Sequence, residues 1–375
     1  NKALPPLVSG IMGPFLTRGF HKYSDQTTYE VLSKLTSNED LIRVLSGQYG
    51  DYGLPPKKSS FSMHATVVKH YFDGGSFPVG GSSQIVKAIE PIIEASGGMI
   101  LVKASVKEVT IENNRAIGVE LEDGRKIGAK QVVSGAGVVN TFKNLLPQQV
   151  VRQHKLREQL TRVEPSACHA CLYLGLKGTP EELGLPKTNY WLYPENGDHD
   201  ACVDRYLKNP EEEFPVVYIS FPASKDPDFQ NRYPGKSTID IITLVPYDLF
   251  GRWEGSSWMN RGQEYEELKE RLTERLIEKL LEHFPHLKGK IKHKELSTPL
   301  STSFFTRYEK GEIYGVDHSP SRFRQKFLQP RTPIKNFYLT GQDTVTAGVG
   351  GALFSGLLTA SAMTGTNFMK KITED

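Results

Sequence analysis

The chain has 375 residues, of which 38% are hydrophobic and 24% charged, a balance typical of globular proteins large enough for two domains. The net charge of +3 is small and the basic residues form no long blocks, so nucleic-acid binding is not indicated. Three cysteines are too few for a disulfide scaffold, and no apolar segment reaches the roughly 18 residues that a membrane-spanning helix needs.

The first sixty residues are predicted to be helical and irregular. Short helices are expected over Ser24–Leu35 and Ser37–Leu45, the second with Ser37 as its N-cap and Asp40 in its first turn. The glycine-rich stretch Gly47–Gly53 has no preceding strand pattern, and the two prolines after it block a helix, so a loop is predicted there.

The character of the sequence changes at Phe61. The run Phe61–Phe72 is β-prone and is predicted to form a strand. A glycine-rich turn then leads into a helix that Ser82 or Ser83 can cap and that Gly97-Gly98 ends. Three strands are predicted next, over Ile100–Ala104, Val106–Glu112 and Ala116–Leu121, with Asn113-Asn114 and Asp123-Gly124 as hairpin turns.

A further strand pattern, Gln131–Val138, ends in small residues. Gly135 and Gly137 match part of the dinucleotide fingerprint, but Asn140 stands in place of the third glycine and no acid follows at the usual distance. These glycines therefore indicate a strand end that a ligand can approach closely, and they do not by themselves indicate a phosphate loop.

The middle of the chain is predicted to hold a second region. Strands are expected over Cys168–Lys177, Val216–Phe221 and Thr238–Val245, and a long amphipathic helix over Glu264–Phe284. Cys168 and Cys171 have the spacing of a redox or zinc pair, but in a strand they point to opposite faces, so we interpret them as buried thiols. No set of metal ligands is complete, and we predict no metal site.

The C-terminal part contains a strand, Phe337–Thr340, that ends at Gly341. Gln342 and Asp343 follow, and Gly348, Gly350 and Gly351 open a helix of small and apolar residues. The N-terminus of a helix holds an anion or an electron-rich carbonyl well, and glycines let a flat ligand approach the backbone. On these residues alone, a cofactor site and an ordinary strand-to-helix turn of an α/β protein both remain open.

Several stretches together resemble the phytoene-desaturase-like flavoproteins, and within them the carotenoid isomerase and retinol saturase branch. They are Phe77–Ser83, Gly97-Gly98, Val106–Val109, Val132–Gly137 and Tyr338–Asp343, with Met63–Ala65, Leu185–Tyr190, Phe221–Pro227 and Tyr314–His318 closest to that branch. The resemblance extends from about Ser60 to Thr364. It implies an α/β fold in which an FAD-binding Rossmann-like domain is joined to a substrate-binding domain built on a mixed or antiparallel sheet plus helices.

The resemblance also implies site residues. Val106 presents its backbone to the adenine, Gly135 and Gly137 border the FAD, and Gly341 with Gln342 or Asp343 holds the ribityl–pyrophosphate region. The helix that begins with Gly348, Gly350 and Gly351 points at the flavin, where its dipole stabilises negative charge. Lys69, His70 and Tyr71 are candidate catalytic residues because they precede the turn that leads to the cofactor helix, although an ordinary structural role is equally open.

One departure from the family concerns the N-terminus. The first strand, the Gly-x-Gly-x-x-Gly motif and the acid that binds the adenosine ribose have no counterpart in this sequence, so we expect an incomplete FAD-binding domain that binds FAD poorly or not at all. The expected division assigns residues 1–60 to the substrate domain and 61–140 to the FAD-binding domain. Residues 141–330 then form the substrate-binding domain, and 331–375 complete the FAD-binding domain.

For the complete protein the resemblance implies an FAD-dependent oxidoreductase that saturates the 13,14 double bond of all-trans-retinol, a hydrophobic polyene. NAD or NADP is the expected source of electrons, and residence at the endoplasmic reticulum membrane is implied by the family only. Two alternatives remain open. One is a carotenoid isomerase or desaturase that acts on a longer polyene, and the other is a non-catalytic binding protein like the GDP-dissociation inhibitors and Rab escort proteins.

Overall fold

The computed structural model describes residues 17–373, and the part of the predicted helical segment that falls in residues 1–16 lies outside this range. The strands are β1 (Val106–Glu112), β2 (Arg115–Leu121), β3 (Lys126–Gly128), β4 (Val132–Ser134), β5 (His169–Lys177), β6 (Tyr190–Leu192), β7 (Val217–Ser220), β8 (Lys236–Leu244), β9 (Ile291–Ser297) and β10 (Phe337–Leu339). The longer helices are α1 (Glu39–Ser46), α2 (Phe61–His70), α3 (Ser83–Ala95), α4 (His199–Lys208), α5 (Gln263–His283), α6 (Pro299–Thr306) and α7 (Gly348–Thr364).

Shorter helical pieces connect these elements. They are residues 17–24, Thr28–Leu32, Val138–Asn140, Gln148–Gln153, Leu156–Leu160, Pro222–Lys225, Phe229–Arg232, Pro320–Phe323 and Phe368–Thr373, with 3₁₀ turns at Gly47–Asp51, Tyr71–Asp73, Tyr247–Leu249, Gly251–Trp253, Pro285–Leu287 and Gln342–Thr344 and a π-helical turn at Thr141–Leu145. The described chain divides into two compact units. The first contains residues 17–68, 103–167 and 306–373, and the second contains residues 69–102 and 168–305.

The first unit contains an antiparallel three-stranded sheet, β1-β2-β3, and a separate parallel pair, β10-β4. The turn between β1 and β2 is Asn113-Asn114, and both residues have positive φ (46° and 58°), as a tight hairpin turn requires. This predicted hairpin is therefore confirmed. Its buried face joins a core that includes Val109, Phe142 and Phe337, so the hairpin and the parallel pair are stabilised by the same apolar cluster.

The second unit is built on a five-stranded antiparallel sheet in the order β6-β7-β8-β5-β9. One face of the sheet packs against α5, whose leucines recur every four residues and are buried. The buried residues are Leu268, Leu272, Leu276 and Leu280 on α5, with Leu172, Leu174, Ile239 and Ile241 among their apolar partners on the sheet. The strands and the long helix predicted for this region are confirmed.

The prediction of a strand over Phe61–Phe72 is wrong, because residues Phe61–His70 form α2. Met63 and His64 are buried, and Val67 and Val68, four residues further on, are half-buried, which is a helical spacing. The β-branched residues suggested a strand, but the burial pattern with period 3.6 decides the structure.

Three smaller predictions near the N-terminal half are also corrected. Residues 100–104 form no strand. The apolar side chains of residues 99–102 are exposed, and no strand of the described chain pairs with this run to satisfy its backbone groups. The N-cap of α1 is Asn38, whose side chain accepts a hydrogen bond from the Leu41 N–H, and it is not Ser37. Ser82 stands at the N-cap of α3, but its side chain makes no capping bond.

Candidate functional site

Two parallel strands of the first unit end next to each other. In the β4-β10 pair, Val132 lies opposite Phe337 and Ser134 opposite Leu339. The pairing continues one step, because the Thr340 N–H donates to the Ser134 carbonyl at 2.9 Å. Ligands of α/β proteins bind at the carboxyl ends of parallel strands. The predicted residues Gly135, Gly137, Gly341, Gln342 and Asp343 therefore lie together at such an edge.

Only glycine fits at position 137 in this arrangement. Its φ is +84°, and a Cβ added there would lie 2.6 Å from Cε1 of Tyr308 and 3.3 Å from Oδ2 of Asp343. The aromatic ring of Tyr308 thus packs directly on the turn. Burial, followed by the nearby Asp343 charge, raises the pKa of the Tyr308 hydroxyl to about 12, so Tyr308 is neutral at physiological pH.

Asp343 fastens three segments of the first unit together. Its side chain is buried, Oδ2 accepts the Val138 N–H at 2.7 Å, and Oδ1 accepts the Val316 N–H at 2.9 Å. Both carboxylate oxygens are thus occupied by backbone groups, one of them at the start of the helical segment after Gly137. Gln342 has a different environment: it is half-buried, and its Nε2 donates to the Tyr308 hydroxyl at 3.0 Å.

A buried arginine supports the turn after β10. Arg322 is 2% exposed, and its Nη2 donates to the Gln342 carbonyl at 2.7 Å and to the Asp343 carbonyl at 3.2 Å. Its Nη1 donates to the carbonyls of Val316 and Asp317. Burial lowers the pKa of the guanidinium, and the charges of Asp343 and Asp317 act in the opposite direction. Arg322 could not be recognised from the sequence, because no local pattern distinguishes it from an exposed arginine.

A buried histidine holds the residue before α7. His318 is fully buried, and its Nε2 accepts the Ala347 N–H at 3.0 Å. Burial holds the pKa of His318 well below its usual value, so the ring is neutral and can accept this bond. His318 belongs to a stretch that carries the family resemblance, but no local pattern indicates this role.

Helix α7 begins at an exposed N-terminus and packs its small residues on β10. Gly348, Val349 and Gly350 are exposed, and a Cβ at Gly348 or Gly350 would meet no atom within 4 Å. Further along, the Thr359 hydroxyl donates to the Leu339 carbonyl at 2.9 Å, and Ser355 is fully buried. The first three residues of α7 therefore meet no packed side chains, and the helix is buried further along, at Ser355 and Thr359.

The remaining predicted site residues lie elsewhere. Val106 is the half-buried first residue of β1 and pairs with Leu121. Lys69 and His70 end α2, and Tyr71 begins the 3₁₀ turn after it. These three residues belong to the second unit and are exposed, with Lys69 Nζ 3.7 Å from an Asp73 carboxylate oxygen. Their catalytic role stays a prediction.

Three broader expectations concern metals, membranes and cysteines. No group of three or more metal-ligating side chains is assembled among residues 17–373, and no helix in that range is long and apolar enough to cross a bilayer. Cys171 is buried on β5, and burial raises the pKa of its thiol to about 12, which makes it unreactive.

The residues at this edge of the first unit fit a dinucleotide. Gly135, Gly341 and Gly348 expose backbone rather than side chains, and the exposed start of α7 offers unpaired N–H groups and a partial positive charge. Dinucleotides bind at such places in α/β proteins, where parallel strands end in glycine turns beside the start of a helix.

The family follows from the sequence match. Residues 30–364 match the family described as flavin containing amine oxidoreductase, and the chain belongs to this family.

Individual relatives share the chain's sequence over most of its length. A Danio rerio protein named all-trans-retinol 13,14-reductase is 36% identical over 358 residues, which are 93% of this chain and 59% of that protein. A second Danio rerio protein, named inactive all-trans-retinol 13,14-reductase, is 35% identical over 91% of this chain and 58% of that protein. A phytoene desaturase (lycopene-forming) from Paracoccus is more distant, at 27% identity over 81% of this chain and 58% of that protein. The chain thus spans less than two thirds of the length of these relatives.

Solved structures support the fold. The crystal structure of an oxidoreductase from Methanosarcina mazei is similar with a TM-score of 0.58 and 17% identity, covering 90% of this chain and 68% of that one. The mixed α/β fold expected from the sequence is confirmed.

Proposed function

We propose that the protein is an FAD-dependent oxidoreductase that saturates the 13,14 double bond of all-trans-retinol. The observation that supports this most is the 36% identity, over 93% of the chain, to a protein named for that reaction. The glycine-ended strand pair and the exposed start of α7 add a place where a dinucleotide fits. Carotenoid-modifying relatives are more distant, so a longer polyene is the second choice of substrate.

Within this proposal, the residues of the first unit hold the cofactor in defined ways. The backbone of Gly341 and Gln342 would hold the ribityl–pyrophosphate region. We assign this contact to Gln342 and not to Asp343, because both Asp343 carboxylate oxygens already accept hydrogen bonds from the Val138 and Val316 N–H groups. Asp343 then has a structural role, because its hydrogen bond to Val138 connects the turn after β10 to the turn at Gly137. FAD would supply hydride transfer when bound, and the partial positive charge at the N-terminus of α7 would favour a negatively charged group of the cofactor.

The direct test measures flavin and product on the full-length protein. We expect a yellow preparation with flavin absorbance and the appearance of 13,14-dihydroretinol when all-trans-retinol and a reductant are supplied. NADH, NADPH and dithionite should be compared, because NAD or NADP is the proposed electron source and dithionite bypasses it. Reduction with dithionite alone would support the flavin chemistry and reject the nicotinamide donor.

Two outcomes would favour the alternatives. A folded, colourless protein that does not respond to added FAD supports a non-catalytic binding protein. A yellow protein that leaves retinol unchanged but alters carotenoid geometry or saturation supports the carotenoid isomerase or desaturase. Since one relative with 35% identity is named inactive, the product measurement is needed and the flavin spectrum alone is not sufficient.

We also propose that the protein works at the endoplasmic reticulum membrane, where an apolar polyene is dissolved. This rests on the family resemblance, not on a segment of the described chain. Fractionation of cells that express the full-length protein tests it: recovery with microsomal membranes is expected, and recovery in the soluble fraction would contradict it.

A further inference from the structure

A cluster of apolar side chains lies on the surface of the second unit, at one end of its sheet. It is here called the aromatic cluster and consists of Trp258, Met259, Phe304 and Phe305. The first two residues follow β8 in the chain, and the last two belong to α6, which follows β9. Since β8 and β9 both run antiparallel to β5, their C-terminal ends lie at the same end of the sheet.

The three rings of the aromatic cluster pack on one another. Trp258 stacks on Phe304 with the ring centroids 4.6 Å apart and an angle of 15° between the planes, and it meets Phe305 edge-on at 4.9 Å. Phe304 and Phe305 are edge-to-face at 5.1 Å. Stacked and edge-to-face pairs are favourable arrangements of aromatic rings, so the cluster keeps its shape without a ligand.

The side chains of the aromatic cluster nevertheless face outward. The exposed fraction is 83% for Met259, 71% for Phe305 and 40% for Phe304. The Asn260 N–H donates to the Ser257 carbonyl at 3.1 Å, which closes a β-turn with Met259 in its third position, at a φ of +58°. Glycine or asparagine is favoured there, because other side chains are strained at positive φ. An exposed methionine in a strained turn contributes little to packing, which indicates that its side chain acts on a partner.

The aromatic cluster carries no charge of its own. Residues 256–260 and 299–306 contain no acidic or basic side chain. The half-buried Arg261 lies beside the cluster, with its guanidinium 5.4 Å from the centre of the Trp258 ring, and it donates to the Leu300 carbonyl at 3.4 Å. The neighbouring Arg252 pairs with Glu264 at 3.1 Å. Burial of the cluster in an apolar phase therefore requires no charge to lose its water.

We propose that the aromatic cluster inserts into the head-group layer of a lipid bilayer and docks the second unit there. This inference rests on the proposed function, because an apolar polyene is dissolved in membranes. Aromatic side chains are enriched where hydrocarbon meets water, and an arginine beside them can reach lipid phosphates. Four side chains are too few for a stable protein interface, which takes roughly 20–30 residues a side, whereas a bilayer accepts a small apolar wedge.

The opposite end of the sheet offers a contrasting surface. Lys177 of β5 lies directly across from Lys236 of β8, and the Lys177 N–H donates to the Lys290 carbonyl at 3.3 Å. All three lysines are exposed. Since β8 has nine residues, these lysines lie roughly 25–30 Å from the end of the sheet near the aromatic cluster. Binding through lysines requires acidic lipids and weakens with salt, whereas insertion of apolar side chains requires neither acidic lipid nor low salt.

Vesicle flotation of the full-length protein tests the docking. We expect binding to vesicles of phosphatidylcholine alone, and this binding should persist in about 1 M salt. Met259→Ser combined with Phe305→Ser should lower the partition coefficient about tenfold or more, because two exposed apolar side chains are lost. Met99→Ser combined with Phe72→Ser is the matched control, since it removes the same residue types at 73% and 71% exposure in the same unit. It should bind like the wild type, because the Lys69 ammonium lies 5.4 Å from the centre of the Phe72 ring.

A local probe shows which surface meets the lipid. A nitrobenzoxadiazole label on Met259→Cys should brighten and shift its emission to the blue when phosphatidylcholine vesicles are added. The same label on Lys236→Cys should not respond, and the unsubstituted protein gives the background from the native cysteines. If the label on Lys236→Cys responds to vesicles that contain phosphatidylserine and the label on Met259→Cys responds to none, the lysines meet the membrane and the proposal is overturned.

The outcomes separate this inference from the proposed function. If the label on Met259→Cys enters the bilayer but the protein never reduces retinol, the docking surface stands and the proposed function fails. If the protein reduces retinol in detergent, but the Met259→Ser and Phe305→Ser protein floats like the wild type and the label does not respond, the inference fails and the proposed function stands. Dimers that form without lipid and are lost in the same double variant would assign the cluster to contact between two copies and overturn the inference.

Discussion

The chemistry of the candidate site is concentrated in a few buried polar residues. Asp343, Arg322 and His318 each bind backbone groups of the turn between β10 and α7 or of its neighbours. A buried charge is tolerated only when its hydrogen bonds are satisfied, and Asp343 and Arg322 meet this condition through backbone partners. These residues fix the glycine turns in one conformation before any ligand binds.

Removal of the Asp343 carboxylate should destabilise the first unit. Asp343→Ala leaves the Val138 and Val316 N–H groups without their acceptor, and it removes the negative charge that acts most strongly on the buried Arg322. We expect a loss of about 3–5 kcal/mol in the free energy of unfolding, measured by urea denaturation. Asp123→Asn, at an exposed hairpin turn, is the control and should change stability by less than about 0.5 kcal/mol. Equal losses of unfolding free energy in both variants would contradict this structural role of Asp343.

The tight contact at Gly137 predicts that a side chain added there lowers the stability. Gly137→Ala combines a positive φ with a Cβ only 2.6 Å from the Tyr308 ring, whereas Gly124→Ala has a similar φ of +85° and open space. The Gly124 variant should cost about 1–2 kcal/mol, the strain of a left-handed alanine. Thermal unfolding should show a clearly larger loss for Gly137→Ala. If both variants unfold at the same temperature, Tyr308 does not constrain the turn.

At the scale of elements, the sequence predicted those whose signal is local. The hairpin of β1 and β2, the leucine-rich α5 and the strand–glycine–helix succession at the C-terminus each follow from a short pattern, and each is present. The strand prediction over Phe61–Phe72 failed because β-branched residues also occur in α2, where burial of Met63 and His64 decides the structure.

Long-range contacts explain what the sequence did not reveal. Arg322 and Asp343 are 21 residues apart, Asp343 and Val138 are 205 apart, and only the folded chain brings them together. The candidate glycines were predictable because glycine itself marks a turn. The buried residues that position those glycines could not be predicted, because nothing in the local sequence shows that an arginine or a histidine is buried.

Substitutions at two adjacent residues of α7 should change the free energy of unfolding in opposite directions. Ser355 is fully buried against β10, so Ser355→Leu should force the helix away and cost about 1–3 kcal/mol. Gly356 is exposed with no atom within 4 Å of its Cβ position, so Gly356→Ala should stabilise the helix by about 0.5–1 kcal/mol. Urea denaturation measures both. Stabilisation by Ser355→Leu would mean that α7 does not pack on β10 through this face.

At the scale of the whole molecule, each of the two units has its own apolar core. The glycine turns proposed for FAD belong to the first unit. The predicted range 141–330 crosses this division, since residues 141–167 and 306–330 belong to the first unit, and the range 61–140 crosses it as well, since residues 69–102 belong to the second. Stability measurements therefore report on two cores, and variants should be compared within one unit.

Two half-buried groups of the second unit contribute to the pH dependence of stability in opposite directions. Burial lowers the pKa of His169 to about 4, below its usual 6.5, so between these values the unfolded chain binds one more proton and stability falls as pH falls. Burial raises the pKa of Asp240 to about 6, above its usual 3.8, so in that window the folded chain binds the extra proton and stability falls as pH rises.

Single substitutions should therefore change the slope of stability against pH with opposite signs. His169→Leu should lower the slope of the unfolding free energy by up to about 1.4 kcal/mol per pH unit between pH 4 and 6.5, and Asp240→Asn should raise it by a similar amount between pH 3.8 and 6. Urea denaturation at several pH values measures both, with His293→Gln, at an exposed position on β9, as the control. Differences between variants are the useful quantity, since His64, His318, Glu312 and Asp317 contribute equally to wild type and variants. If Asp240→Asn leaves the slope unchanged, its carboxyl group is solvated in the folded protein and holds no proton near neutral pH.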